Sequence, residues 1–266
     1  MCRLAAILGD PDTDIDALAV FFDDLLRRAV EGLNAEFSPN RLCKATRDVE
    51  PLPIAKRSLS SYRTRIGTTL EYALSTEMDR LLGIECGDAY HITFVWWNTY
   101  PDFIVRDRNM TPLVRIEMKA VDAYSVELAA SFDAPTHEIK PEIDLVGLVG
   151  WHEAPMECDG VVVGERPHVF ASTVVPAAAL SHERDINLVM RKGVIQDGIV
   201  YVVSTKTGKL TKDPGNYGKI RRIVHLSRRD ADDLSPGIRR YQEFIQKVLA
   251  HTLAHTEATD DITEAE

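Results

Sequence analysis

Cysteine is scarce and unclustered: Cys2, Cys43, Cys86 and Cys158 stand far apart, with no CxxC pair among them. That spacing speaks against a zinc knot or a local disulfide framework and leads us to expect free thiols in a reducing compartment, the cytoplasm. The chain also lacks any apolar run approaching the roughly 18 residues that a membrane helix needs. Its start, MCRLAAILGDPDTD, has one basic residue and a short apolar run closed by acids, which makes a poor secretory signal. Internal repeats and low-complexity tracts are absent. What is present is a globular composition, 45% hydrophobic and 7% aromatic over 266 residues, which excludes disorder as the dominant state. We expect one domain over residues 1–256, followed by an acidic, flexible tail at 257–266.

Basic residues are also in deficit, with 31 Lys and Arg against 41 Asp and Glu, a net charge of −10. By itself that repels nucleic acid. The distribution of the charge points the other way. The last ten residues, EATDDITEAE, hold five acids and no base, whereas Lys206–Arg229 holds eight bases and one acid, Asp213. Within that segment Lys206, Lys209, Lys212, Lys219, Arg221 and Arg222 are candidate DNA-binding residues, able to meet phosphates or guanine edges. The segment is no P-loop, because neither Gly208-Lys209-Leu210 nor Gly218-Lys219-Ile220 has the required Ser/Thr or the earlier glycine. Arg63 and Arg65 are further candidates for backbone contact. Histidine–glutamate neighbours occur at His137-Glu138, His152-Glu153 and His182-Glu183, but no second histidine follows at helical spacing, so a zinc-protease reading fails. His152 follows an apolar strand and is a candidate neighbour of an active site.

Hydrophobic periodicity marks the elements. Ile15, Leu18, Phe22, Leu25, Leu26, Ala29 and Leu33 recur at spacings of three and four, predicting an amphipathic helix over 14–33. Residues 38–60 read as a loop. A second helix is expected from Gly67 to about Leu82, opened by Thr68 and Glu71 at capping-box spacing. Strands are expected at 92–97, 102–105, 113–120, 144–151, 161–163, 168–175, 199–204 and 220–226, with a helix at 122–131. Ser235 and Pro236 open a C-terminal helix with an apolar stripe at Ile238, Tyr241, Ile245, Val248 and Leu249. This mixture argues an α/β or α+β fold. Trp96 and Trp97 read as core plus a partly exposed partner.

The chemistry-bearing stretch is Tyr100-Pro101-Asp102, followed after a turn by Ile116-Glu117-Met118-Lys119. On a strand of period two, Val114, Ile116 and Met118 share one face, and Arg115, Glu117 and Lys119 the other. If Asp102 begins the hairpin partner, two carboxylates and one ammonium converge. One lysine neutralises only part of that charge, and crowded carboxylates raise each other's pKa. A hard divalent cation with oxygen ligands would relieve them, and Mg²⁺ typically takes one or two carboxylates plus waters and phosphate oxygens.

PD, then ExK with the acids fifteen positions apart, resembles the PD-(D/E)xK nuclease superfamily, to which most type II restriction endonucleases belong. The resemblance covers about residues 68–151. It implies an α-β-β-β-α-β core, a central mixed sheet flanked by helices, with further strands and the C-terminal helix added. It also implies Asp102, Glu117 and Lys119 as catalytic residues, one or two Mg²⁺ ions held by Asp102 and Glu117, and Glu71 as the upstream-helix glutamate found near the metals in many of these enzymes. The implied function is site-specific cleavage of double-stranded DNA by a homodimer, with residues 1–67 and 152–256 supplying recognition and dimerisation. Alternatives are a nuclease of the same superfamily with little sequence preference, in repair or phage defence, and a DNA-binding module of this fold that has lost catalysis.

Overall fold

In a computed structural model, the chain is described over residues 2–36, 56–95, 100–125, 130–158, 160–213, 215–223 and 234–263. Helix α1 (Arg3–Gly9) leads into α2 (Ile15–Glu36), whose stripe of Leu18, Phe22, Leu25, Leu26, Ala29 and Leu33 is buried. Asp14 accepts the Ala17 N–H at the start of α2, the role its short carboxylate suits. Helix α3 (Lys56–Cys86) buries Leu70, Leu74, Met78 and Leu82 against the same core.

Five strands form the main sheet: β1 (Tyr90–Phe94), β2 (Phe103–Asp107), β3 (Pro112–Asp122), β4 (Asp144–Cys158) and β5 (Val161–Pro176). They lie in the order of their numbers, antiparallel except for the parallel β3–β4 pair. The alternation expected along β3 holds, with Val114, Ile116 and Met118 fully buried. Those side chains join α1, α2 and α3 in one core. The opposite face is covered by α4 (Ala177–Met190) and α5 (Pro236–Thr263), whose Ile238, Tyr241, Phe244, Ile245 and Val248 pack against Val146, Leu148 and Val175. A separate three-stranded sheet, β6 (Val194–Gln196), β7 (Ile199–Val203) and β8 (Leu210–Lys212), follows α4. The fold is thus mixed α and β, a mixed sheet flanked by helices. No helix among the described residues is long and apolar enough to cross a membrane.

Several expectations need correction. Helix α3 begins at Lys56, eleven residues before Gly67, so Thr68 and Glu71 sit in mid-helix; the Thr68 hydroxyl donates to the Thr64 carbonyl (3.1 Å) and caps nothing. No helix occupies the described part of 122–131, because the Asp122 carboxylate accepts the Tyr124 N–H (2.9 Å) and turns the chain instead. The strands expected at 161–163 and 168–175 are one. β5 is an edge strand, where Pro167 costs little pairing. Residues 220–222 form a 3₁₀ turn, not a strand. Helix α5 runs on to Thr263 and takes in most of the expected tail. Cys2 and Cys86 form a disulfide with Cα atoms 5.2 Å apart, tying α1 to α3, so the free-thiol expectation fails for that pair. The sequence offered no sign of it, since the partners are 84 residues apart. Cys43, Trp96, Trp97 and residues 38–55 lie outside the described residues.

Candidate active site

The register of the β2–β3 hairpin assembles the site. Phe103 pairs with Ile116, so Asp102, one residue before β2, stands opposite Glu117. Beyond that point, among the described residues, β3 continues without a partner strand on that side. Its next outward N–H, at Met118, is taken by Asp102 Oδ2 at 2.8 Å. The following one, at Ala120, is taken by the Glu71 carboxylate from α3. Two carboxylates thus replace the main-chain acceptors that a longer β2 would have supplied. Helix α3 passes close to β3 at Gly67, where a β-carbon would meet that of Ala120 at an ordinary 3.7 Å, so the approach does not itself require glycine.

Lys119 points to the same edge. Its ammonium lies 2.6 Å from Glu117 Oε1 and 3.7 Å from Asp102 Oδ2. Burial pulls its pKa down, but Glu117 and Asp102 outweigh burial and hold it above the ordinary lysine value. Glu117 is pushed up to about 7, by burial first and by Asp102, with Lys119 opposing. Glu71 is likewise pushed up to about 7, by burial and then by Asp102 and Glu117. Each of the four residues therefore sits in the field of the others, with three carboxylates against one ammonium.

One atom is left over. Glu117 Oε2 is buried and has no hydrogen-bond partner, an arrangement that costs about 1–3 kcal/mol or more for a charged group. Among the described residues no three His, Cys, Asp or Glu side chains converge as a ready metal cage; in this site Lys119 contacts both Glu117 and Asp102. The donor set nonetheless fits Mg²⁺, which needs only one or two carboxylates beside waters, and Glu117 Oε2 is a hard oxygen lacking a partner.

The neighbourhood includes groups that the sequence did not single out. Asp144 is fully buried and accepts from Arg115 Nε (2.6 Å), the Tyr100 hydroxyl (2.7 Å) and the Lys140 N–H (2.8 Å). This network holds the segment just before Asp102. Asp133, on the loop after β3, is close enough to feel the Lys119 charge. No motif marks either residue: Asp144 opens β4 and Asp133 lies on the loop after β3, and both reach the site through long-range packing.

Other candidates lie elsewhere. Arg63 pairs with Asp122 at 2.6 Å, and Arg65 is exposed. His152 packs edge-on against His168 and at a tilt against His251, beside Tyr124. Lys206, Lys209 and Lys212 are exposed around the β7–β8 turn; Lys219 is half-buried; Arg221 and Arg222 are exposed on the 3₁₀ turn. Arg228 and Arg229 lie outside the described residues. Comparison with known proteins finds nothing similar: no family model, no curated protein and no solved structure matches the chain.

Proposed function

We propose that this protein is a Mg²⁺-dependent DNA endonuclease of the PD-(D/E)xK type, acting as a site-specific restriction enzyme on double-stranded DNA. The observation that carries the reading is the gathering of Asp102, Glu117 and Lys119 at one sheet edge, with Glu117 Oε2 unpaired. Helix α3, the β1–β2–β3 hairpins and the parallel β4 agree with the core that the motif implies, although the described part of 122–131 is not helical. Asp102 and Glu117, with Glu71 beside them, would hold Mg²⁺, which supplies charge neutralisation and a water of lowered pKa. Lys119 stabilises negative charge developing on the attacked phosphate and orients the attacking water. Glu71 and Asp102 fix the edge of β3 so that Glu117 and Lys119 keep their spacing. The exposed lysines of the β7–β8 turn grip phosphates and set orientation. A two-fold homodimer would cut both strands of a palindromic site.

The test is plasmid cleavage with Mg²⁺ by the wild type, Glu117→Ala and Lys119→Ala. Discrete fragments, reduced at least about 100-fold in both variants, are expected. A smear indicates a nuclease without sequence preference. Binding without cutting by the wild type overturns the enzymatic reading and leaves a DNA-binding module.

A further inference from the structure

Three imidazoles meet near the end of α5. His152 lies on β4, His168 faces it across the β4–β5 ladder, and His251 comes from α5. The His152 ring centroid is 4.4 Å from that of His251 and 5.5 Å from that of His168. His251 also stacks on Phe170 at 4.2 Å. The Tyr124 hydroxyl lies 3.3 Å from His152 Nδ1 and 3.4 Å from His251 Nε2. None of these side chains takes part in the chemistry assigned to Asp102, Glu117 and Lys119.

The cluster sits where the apolar hold on α5 runs out. Val248 is the last fully buried residue of α5 among those described, seated against Gly150, where a β-carbon would meet it at 2.9 Å. Leu249 is half-buried and Leu253 is exposed. The turn beyond Val248 is held by the ring contacts of His251 and by Thr252, whose hydroxyl donates to the Ala123 carbonyl (2.7 Å).

The surroundings do not welcome added positive charge. Burial first, then His152, Arg166 and His251, hold the His168 pKa below the ordinary histidine value, and His168 Nδ1 is buried without a hydrogen-bond partner. Lys247, one turn back on α5, is exposed. The anion that His152 feels is Asp122, already paired with Arg63 of α3 at 2.6 Å. Glu153 and Glu165 lie on the opposite face of the β4–β5 pair, where Glu153 accepts from the Tyr62 hydroxyl. Tyr124 is a neutral phenol, its pKa raised by burial and then by Asp122.

Neutral rings pack at these distances without cost, whereas charged ones repel each other and Arg166. We propose that His152, His168 and His251 form an acid-released latch, which holds the end of α5 on the sheet at neutral pH and lets the turn beyond Val248 leave it when the rings take up protons. Each ring takes its proton from solvent, and no covalent bond is made or broken. A histidine that is harder to protonate in the folded chain contributes stability that is complete above its unfolded pKa and is lost as pH falls. Opening is local because the buried stripe of α5 up to Val248 stays in place. Thr252 and both ring nitrogens also hold the turn at Ala123 and Tyr124 that ends β3, so release reaches the strand that carries Glu117 and Lys119. The latch stands whether or not the protein is a nuclease.

Amide hydrogen exchange of the full-length protein at about pH 7.5 and about pH 5.5, corrected for the intrinsic pH dependence of exchange, tests this. Protection of residues 249–254 should fall at least about 10-fold at the lower pH, while that of residues 238–247 is kept. His251→Phe retains a ring against Phe170 but takes up no proton, so its end of α5 should stay protected at both pH values. Equal protection of the wild type at both pH values overturns the latch, as does a loss that spreads evenly over residues 238–247, which is global acid unfolding. A loss undiminished in His251→Phe also overturns it and assigns the response to Asp122, Glu153 and Glu165. Proton NMR of the wild-type histidine rings supplies a check that needs no variant. The His251 ring should titrate together with the loss of protection, and midpoints more than about one pH unit apart contradict the proposal.

Discussion

Glu71 and Asp102 accept alternate N–H groups of one strand, at Ala120 and Met118, from two different elements. The backbone's demand for acceptors where β2 ends is what draws the carboxylates together. Their mutual repulsion, incompletely offset by Lys119, is a standing cost that a divalent cation removes.

The first consequence concerns pH. Glu117 and Glu71 have folded-state pKa values raised to about 7 from ordinary values of 4.5. A raised carboxylate contributes stability that is complete below its unfolded pKa and is lost as pH rises through the folded one. In EDTA, the wild type should therefore lose stability between about pH 4.5 and 7 through these groups. Glu117→Gln should be the more stable protein at pH 8 by on the order of 1–3 kcal/mol, with the gap closing toward pH 5. Urea unfolding at both pH values measures this, and a Glu117→Gln that is destabilised at pH 8 contradicts it.

Added Mg²⁺ should reverse that ranking. At 100 times its dissociation constant a ligand specific for the folded state adds about 2.7 kcal/mol. The wild type and Lys119→Ala should gain thermal stability with Mg²⁺ at pH 8, whereas Glu117→Gln should gain little. Equal gains in all three would mean that the ion binds elsewhere.

Glu71 separates two roles. Mid-helix and without a capping role, it should cost α3 little when replaced by Gln, which retains an acceptor for the Ala120 N–H. If it supports the ion, Glu71→Gln should weaken Mg²⁺ binding roughly 10-fold or more with the circular dichroism spectrum unchanged. Calorimetric titration gives the number, and an unaltered affinity removes Glu71 from the site.

Asp144 is a structural keystone for the hairpin. Removing it strands the half-buried Arg115 and Tyr100, so Asp144→Ala should lose about 3 kcal/mol. A loss under about 1 kcal/mol in urea unfolding would show that water replaces the network.

The Cys2–Cys86 bridge closes a span of 84 residues, worth about 4 kcal/mol by chain entropy. Cys86→Ser, or reduction with dithiothreitol, should lower Tm by on the order of 10 °C. Identical melting with and without reductant would show that the bridge does not form in solution.

Much was legible in the residue order because it depends on short-range periodicity. The stripe of α2, the alternation of β3 and the Ser235-Pro236 start of α5 are local patterns, as is the pairing of Glu117 with Lys119 two positions on, which strand geometry alone puts on one face. Other features required the packed chain. Thr68 and Glu71 have capping-box spacing, yet the helix starts eleven residues before Gly67 and frees Glu71 to face β3. The helix expected at 122–131 gave way to a turn held by the Asp122 carboxylate, a competition that propensity does not register. The Cys2–Cys86 bridge, the buried Asp144 network and the packing of His251 on β4 and β5 join residues far apart in the chain. Sequence spacing carries no information about such meetings, because they are set by which faces of α3, α5 and the main sheet must bury one another.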